Sequence, residues 1–121
     1  MDLWGSVVKV NHLNLTVTDV PAARDFLERY FGLRRMGGNA GMSFLFDDDG
    51  FVLTLMKARR NSGISYPGTF HVGFFVGNEE TVDKVNLRLK EDGFDVAPPE
   101  RHHAYTFYVQ APGGFTVELG A

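Results

Sequence analysis

The sequence predicts an α+β fold in which a unit of strand, helix and further strands occurs twice, building a curved mixed sheet with the helices on its outer face. Three observations predict it. Strand-type alternation opens the chain and returns near its middle, each of these strands leads into a capped amphipathic segment that ends in glycine, and each segment is followed by two apolar runs around a polar turn.

Val7 to Val17 alternates, with Leu13, Leu15 and Val17 on one side and His12, Asn14 and Thr16 on the other, as in a half-buried strand. Asp19 before Pro21 then signals a helix start, and Ala23, Phe26, Leu27 and Tyr30 carry helical spacing up to Gly32. Met42 to Phe46 and Phe51 to Met56 read as strands joined by Asp47-Asp48-Asp49-Gly50. Lys57 to Thr69 lacks periodicity and is the break between halves. Phe70 to Val76 is again a strand, after which Asn78 caps a helix with Glu79 and Glu80 in its first turn, Val82, Val85 and Leu89 on its inner stripe and Gly93 at its end. Tyr105 to Gln110 and Phe115 to Leu119 close the chain as a second hairpin.

Sequence offsets make the repeat explicit. His12 and His71 differ by 59, Gly32 and Gly93 by 61, and Gly50, Phe51 and Leu55 match Gly114, Phe115 and Leu119 at 64. One module spans about 6–57 and the other about 69–121, together one domain. Neither half buries much alone. In both, one strand face (Leu13, Leu15, Leu53, Leu55; Val72, Phe74, Val117, Leu119) is apolar and suits the underside of a helix. The other face forms a concave cup, and there His12 matches His71 and Thr54 matches Glu118.

Composition narrows the function classes. Hydrophobic residues at 44% and charged residues at 22% are ordinary for a packed domain, and a net charge of -3 with pI near 5.7 gives no basic footprint for nucleic acid or an anionic membrane. Arg34, Arg35, Lys57, Arg59 and Arg60 read as solvated loop charges. The absence of cysteine excludes disulfides, thiolate metal sites and cysteine nucleophiles. No apolar run reaches membrane-spanning length, so the expectation is a soluble cytoplasmic protein.

Glu118 shares a sheet face with core residues, where an unpaired carboxylate is costly, so it needs a partner: a cation, a metal or solvent. His12, His71 and Glu118 together are the ligand set of a facial triad: two neutral nitrogen donors, one carboxylate that offsets metal charge, and open positions for substrate. A lone strand histidine is commonly just a satisfied polar residue. Here two of the four histidines occupy equivalent positions of a repeat whose last strand carries the carboxylate. His102 and His103 have no counterpart in the first half and are candidates for an acid or base beside the metal. Asn14, Thr16 and Thr116 supply uncharged polar groups to the same face, while Phe44, Met56 and Phe75 make it partly apolar, with Thr54 and Tyr108 completing the row.

At these residues the sequence resembles the vicinal oxygen chelate superfamily of glyoxalases, bleomycin-resistance proteins and ring-cleaving dioxygenases. The likeness runs from Asn11-His12-Leu13-Asn14-Leu15-Thr16-Val17 with Asp19, through Phe70-His71-Val72-Gly73-Phe74, to Pro112-Gly113-Gly114-Phe115-Thr116-Val117-Glu118-Leu119. It implies two tandem βαβββ modules, a concave metal-binding cup, and metal ligands at His12, His71 and Glu118 for a divalent cation such as Fe, Mn, Zn, Ni or Co. Glyoxalase I has a fourth ligand where this chain has Thr54, which disfavours that chemistry. Extradiol dioxygenases and fosfomycin-modifying thiol transferases share the three-ligand pattern, and a tyrosine ten residues before the carboxylate, here Tyr108, belongs to both. The dioxygenase acid/base histidine is missing from the Met56-Lys57 region, and the potassium loop and final arginine of the fosfomycin enzymes are missing too. A metal-independent antibiotic-binding protein is the alternative from another class. Family likeness and the small size of each module also lead to the expectation of a homodimer that binds a neutral or singly anionic, partly aromatic molecule through adjacent oxygens.

Overall fold

A computed structural model describes residues 5–59 and 63–121; Arg60 lies outside the described residues. The described elements are β1 (His12–Val17), α1 (Val20–Phe31), β2 (Arg34–Asn39), β3 (Met42–Phe46), β4 (Val52–Lys57), β5 (Val72–Phe75), α2 (Glu79–Glu91), β6 (Glu100–Arg101), β7 (Tyr105–Ala111) and β8 (Phe115–Gly120). They pair as two four-stranded mixed sheets, β1-β4-β3-β2 and β5-β8-β7-β6, so the α+β repeat is real and each half keeps its own sheet. In each sheet the first strand runs parallel to the last, and the inner hairpin is antiparallel.

Local chemistry sets the helix ends. Asp19 Oδ1 accepts from the Ala22 amide at 3.0 Å, Pro21 stands in the first turn, and Gly32 closes α1 in the left-handed region at φ 70°. Asn78 caps α2 through the Thr81 amide at 2.8 Å. Helix α1 lies on β3 and β4, and α2 on β7 and β8. Leu15, Val17, Leu53, Leu55, Phe107, Val109, Val117 and Leu119 are buried beneath them with Val20, Leu27, Val82 and Leu89, forming a core that spans both halves. The halves are also joined directly. Phe26 and Tyr30 pack against Phe94, Phe31 stacks on Phe74, Tyr30 donates to Asp92 at 2.6 Å, and the Thr18 amide donates to the Gly113 carbonyl at 3.1 Å.

Three expectations change. The first strand begins at His12 rather than Val7, because β4 begins at Val52, opposite His12, and offers no further partner; Val7, Val8 and Val10 are exposed. Arg34 and Arg35, expected as loop charges, belong to edge strand β2, held by a turn in which Asn39 Oδ1 accepts from the Gly41 and Met42 amides. Its Arg-Arg-Met-Gly-Gly-Asn composition carries no alternation, so only the pairing with β3 makes it a strand. Short β6 is added by the same kind of pairing, with β7. Among the described residues no helix is long and apolar enough to cross a membrane.

Candidate metal centre

Strand register tests the repeat directly. In the first sheet one row across the strands reads Asn14, Thr54, Phe44; in the second the matching row reads Gly73, Glu118, Tyr108. His12 stands two residues before Asn14, as His71 stands two before Gly73. The two histidines therefore occupy the same place relative to equivalent rows, with Thr54 where the second half has Glu118. Gly73 adjoins the carboxylate there: a side-chain carbon at that position would sit at ordinary contact distance, 3.5 Å, from Glu118 Oε1.

Glu118 is buried at 8% exposure, and its oxygens are heavily engaged. Thr106 Oγ1 donates to Oε2 at 2.8 Å, Tyr108 donates its hydroxyl hydrogen to the carboxylate, His103 Nε2 lies 2.9 Å from Oε2, and His71 Nε2 lies 3.3 Å from Oε1. Burial pushes the Glu118 carboxyl up, but the Thr106 and Tyr108 hydrogen bonds and, in their protonated forms, the His103 and His71 rings outweigh it and hold it below its ordinary value. The same neighbourhood raises Tyr108, through burial and its bond to Glu118, keeping the phenol a proton donor. Its ring meets that of His71 edge-on at 5.3 Å.

Imidazole chemistry shows what the centre can hold. His71 Nδ1 lies 2.9 Å from the Thr69 carbonyl, which can only accept, so Nδ1 carries the hydrogen. In the neutral ring Nε2 then presents a lone pair to a carboxylate oxygen. Two acceptors then face each other across 3.3 Å, an arrangement that a metal cation bound between them satisfies. His12 is prepared alike: its Nδ1 lies 2.7 Å from Asn11 Oδ1, which leaves Nε2 as the ligating atom. These donors suit a divalent cation.

The candidate residues do not all meet. Within one chain His12 opens β1 of the first sheet, whereas His71, just before β5 rather than inside the expected strand, and Glu118 on β8 stand at the second, and among the described residues no three His, Asp or Glu side chains gather as a metal-holding group. His102 turns away from Glu118 to Glu100, at 3.1 Å, while its neighbour His103 enters the site. Thr116 accepts from Gln110 at 2.7 Å. Asn14 and Thr16 are exposed on the first sheet's cup face, Thr54 is buried at 5%, and Phe44, Met56 and Phe75 are large apolar groups open to solvent. Thr106 was missed by sequence reasoning. It lies two residues before Tyr108 on β7, so the same alternation that put Tyr108 in the cup was the signal for it.

A family model, the Glyoxalase/Bleomycin resistance protein/Dioxygenase superfamily, matches residues 9–119. The chain belongs to that superfamily. The vicinal oxygen chelate fold recurs in a possible glyoxalase from Bacillus cereus, 57% identical over 95% of this chain and 100% of that one, with a TM-score of 0.88. Lactoylglutathione lyase from Agrobacterium tumefaciens is 22% identical, covering 98% and 95% of the two chains at a TM-score of 0.72. The fosfomycin resistance protein FosX from Listeria monocytogenes, complexed with Mn(II) and sulfate, is 20% identical, covering 96% and 91% at 0.74. At these last two identities the likeness concerns the fold. No functionally curated protein matches significantly.

Proposed function

We propose that this superfamily member is a metal-dependent enzyme in which His12, His71 and Glu118 hold one divalent cation, His12 coming from one copy of the chain and His71 with Glu118 from a second. The observation that carries the reading is His71 Nε2 facing Glu118 Oε1 at 3.3 Å with its other nitrogen already committed to Thr69. A cation bound there supplies Lewis acidity toward adjacent substrate oxygens. Tyr108, held protonated beside Glu118, orients or protonates the substrate oxygen, and His103 secures the carboxylate from the opposite oxygen. The apolar Phe44, Met56 and Phe75 favour a substrate with an aromatic or otherwise partly apolar body, such as a catechol-like compound. Thr54, at the position equivalent to Glu118, supports a three-ligand site over glyoxalase I chemistry.

Sharing the site between copies follows from the separation of His12 from the other two ligands, and it also gives the open cup faces a partner. Elemental analysis of protein purified without chelator should find near-stoichiometric metal in wild type and little in His12→Ala or His71→Ala. Co-refolding the two variants should restore metal to part of the sites, since one mixed site then carries all three ligands. Substoichiometric metal in wild type, unchanged by His71→Ala, would sink the metal reading. Metal-independent bleomycin binding, with no turnover of catechols or of fosfomycin with thiols, would make the chain a binding protein instead.

A further inference from the structure

The geometry points to Tyr66 as a positioning residue for His71, acting through the connection between the two halves. This deepens the metal-site reading and rests on it only for the effect on affinity. β1 is the outer strand of its sheet, and the Asn11 and Val17 carbonyls bond toward the β4 side, to Val52 and Ala58. The Thr16 amide and carbonyl point the other way. Tyr66 meets both: the Thr16 amide donates to its hydroxyl at 3.0 Å, and the hydroxyl donates to the Thr16 carbonyl at 2.8 Å. One phenol thus does for Thr16 what a neighbouring strand would do.

From that anchor a short series of contacts leads to the metal ligand. The Tyr66 ring stacks on Phe70 with centroids 4.5 Å apart and planes 11° from parallel. In the chain that links the two residues the Phe70 amide donates to the Pro67 carbonyl at 2.9 Å, closing a turn over Gly68 and Thr69. That turn presents the Thr69 carbonyl to His71 Nδ1 at 2.9 Å. Residues 67–69 are otherwise solvent-exposed, so the position of this carbonyl depends on the turn, and the turn is moored at Tyr66. The carbonyl fixes the hydrogen on Nδ1 and hence the lone pair on Nε2. A tyrosine on the inter-module connection, bonded to the first half, thereby sets the ligating tautomer of a histidine in the second. Acceptors of this kind behind metal-bound imidazoles are worth 10–100-fold in affinity.

The test uses Tyr66→Phe, which keeps the stacked ring and removes only the hydroxyl, and Tyr66→Ala, which removes both. Long-range proton–nitrogen spectra of metal-free protein at about pH 9, above the ordinary imidazole range, report which His71 nitrogen bears the hydrogen. Wild type should show Nδ1–H, and both variants a mixture with Nε2–H. The control Tyr105→Phe, whose hydroxyl bonds Asp83 away from His71, should match wild type. Titration with Mn²⁺ should show affinity reduced about tenfold in Tyr66→Phe. An unchanged His71 tautomer in both Tyr66 variants, or Nε2–H in wild type, overturns the proposal even if the variants are less stable. If wild type binds no Mn²⁺ the metal reading fails, and the ring spectra alone still decide the role of Tyr66.

Discussion

Thr106 determines how readily Glu118 stays ionised inside the sheet face. Thr106→Val keeps the shape but withdraws a buried donor from a carboxylate, a loss of roughly 1–3 kcal/mol. Because the folded carboxyl lies below its ordinary value, its ionised form contributes stability that is present above the unfolded value and lost as pH falls through the folded one. Thr106→Val raises the folded value, so its denaturation midpoint should fall at neutral pH and its acid limb should begin at higher pH than that of wild type. Ser43 offers the opposite case. It is 1% exposed beneath the first sheet, and its Oγ has no hydrogen-bond partner among the described residues. Ser43→Ala removes an unpaired polar atom and should leave stability unchanged or raise it by about 1 kcal/mol in urea unfolding.

At the scale of elements, the joint between the halves rests on two small features. Tyr30 on α1 donates to Asp92 just beyond α2, and burial followed by this hydrogen bond raises the phenol above its ordinary value of 10.0. A raised value means the stabilisation is complete below pH 10 and disappears as pH rises through the folded value. Wild type should therefore lose more stability than Tyr30→Phe between about pH 9 and pH 11, while at neutral pH Tyr30→Phe should be less stable by about 1–3 kcal/mol. The second feature is Gly113, at φ 105° in the β7–β8 turn, where an added side-chain carbon would meet Val17 Cβ at 3.1 Å and Ala23 Cβ at 3.3 Å. Gly113→Ala imposes both backbone strain and a clash against the first half, and thermal unfolding should show a loss of more than about 1 kcal/mol. Gly114→Ala, with similar φ but nothing within 4 Å, separates strain from clash and should cost less.

For the whole molecule, the distribution of apolar surface argues for a partner copy. Phe44 at 37%, Met56 at 36%, Phe75 at 73% and Tyr108 at 43% exposure all belong to the face that carries the candidate ligands. β1 and β5 are both outer strands, with backbone groups turned away from their own sheets. Light scattering at micromolar concentration should give a mass twice the 13.5 kDa of one chain. A monomer would rule out the shared centre, because His12 then has no route to His71 and Glu118.

The sequence alone determined the features that depend on neighbours in the chain. Asp19, Gly32 and Asn78 cap through residues three to five positions away, alternation assigns Leu15 and Val117 to the core and His12 and Glu118 to the cup, and the offsets of the repeat align Thr54 with Glu118. Features that depend on distant pairing were decided only by the tertiary structure. β2 is a strand because β3 lies beside it, and residues before His12 are not because β4 stops at Val52. His102 and His103 are indistinguishable in composition and adjacent in sequence; the bend after β6 sends one to Glu100 and the other to Glu118. Tyr66 reaches a strand edge fifty residues earlier in the chain. No local pattern encodes such a contact, since it exists only once β1, the connection and β5 have been brought together by the packing of the two halves.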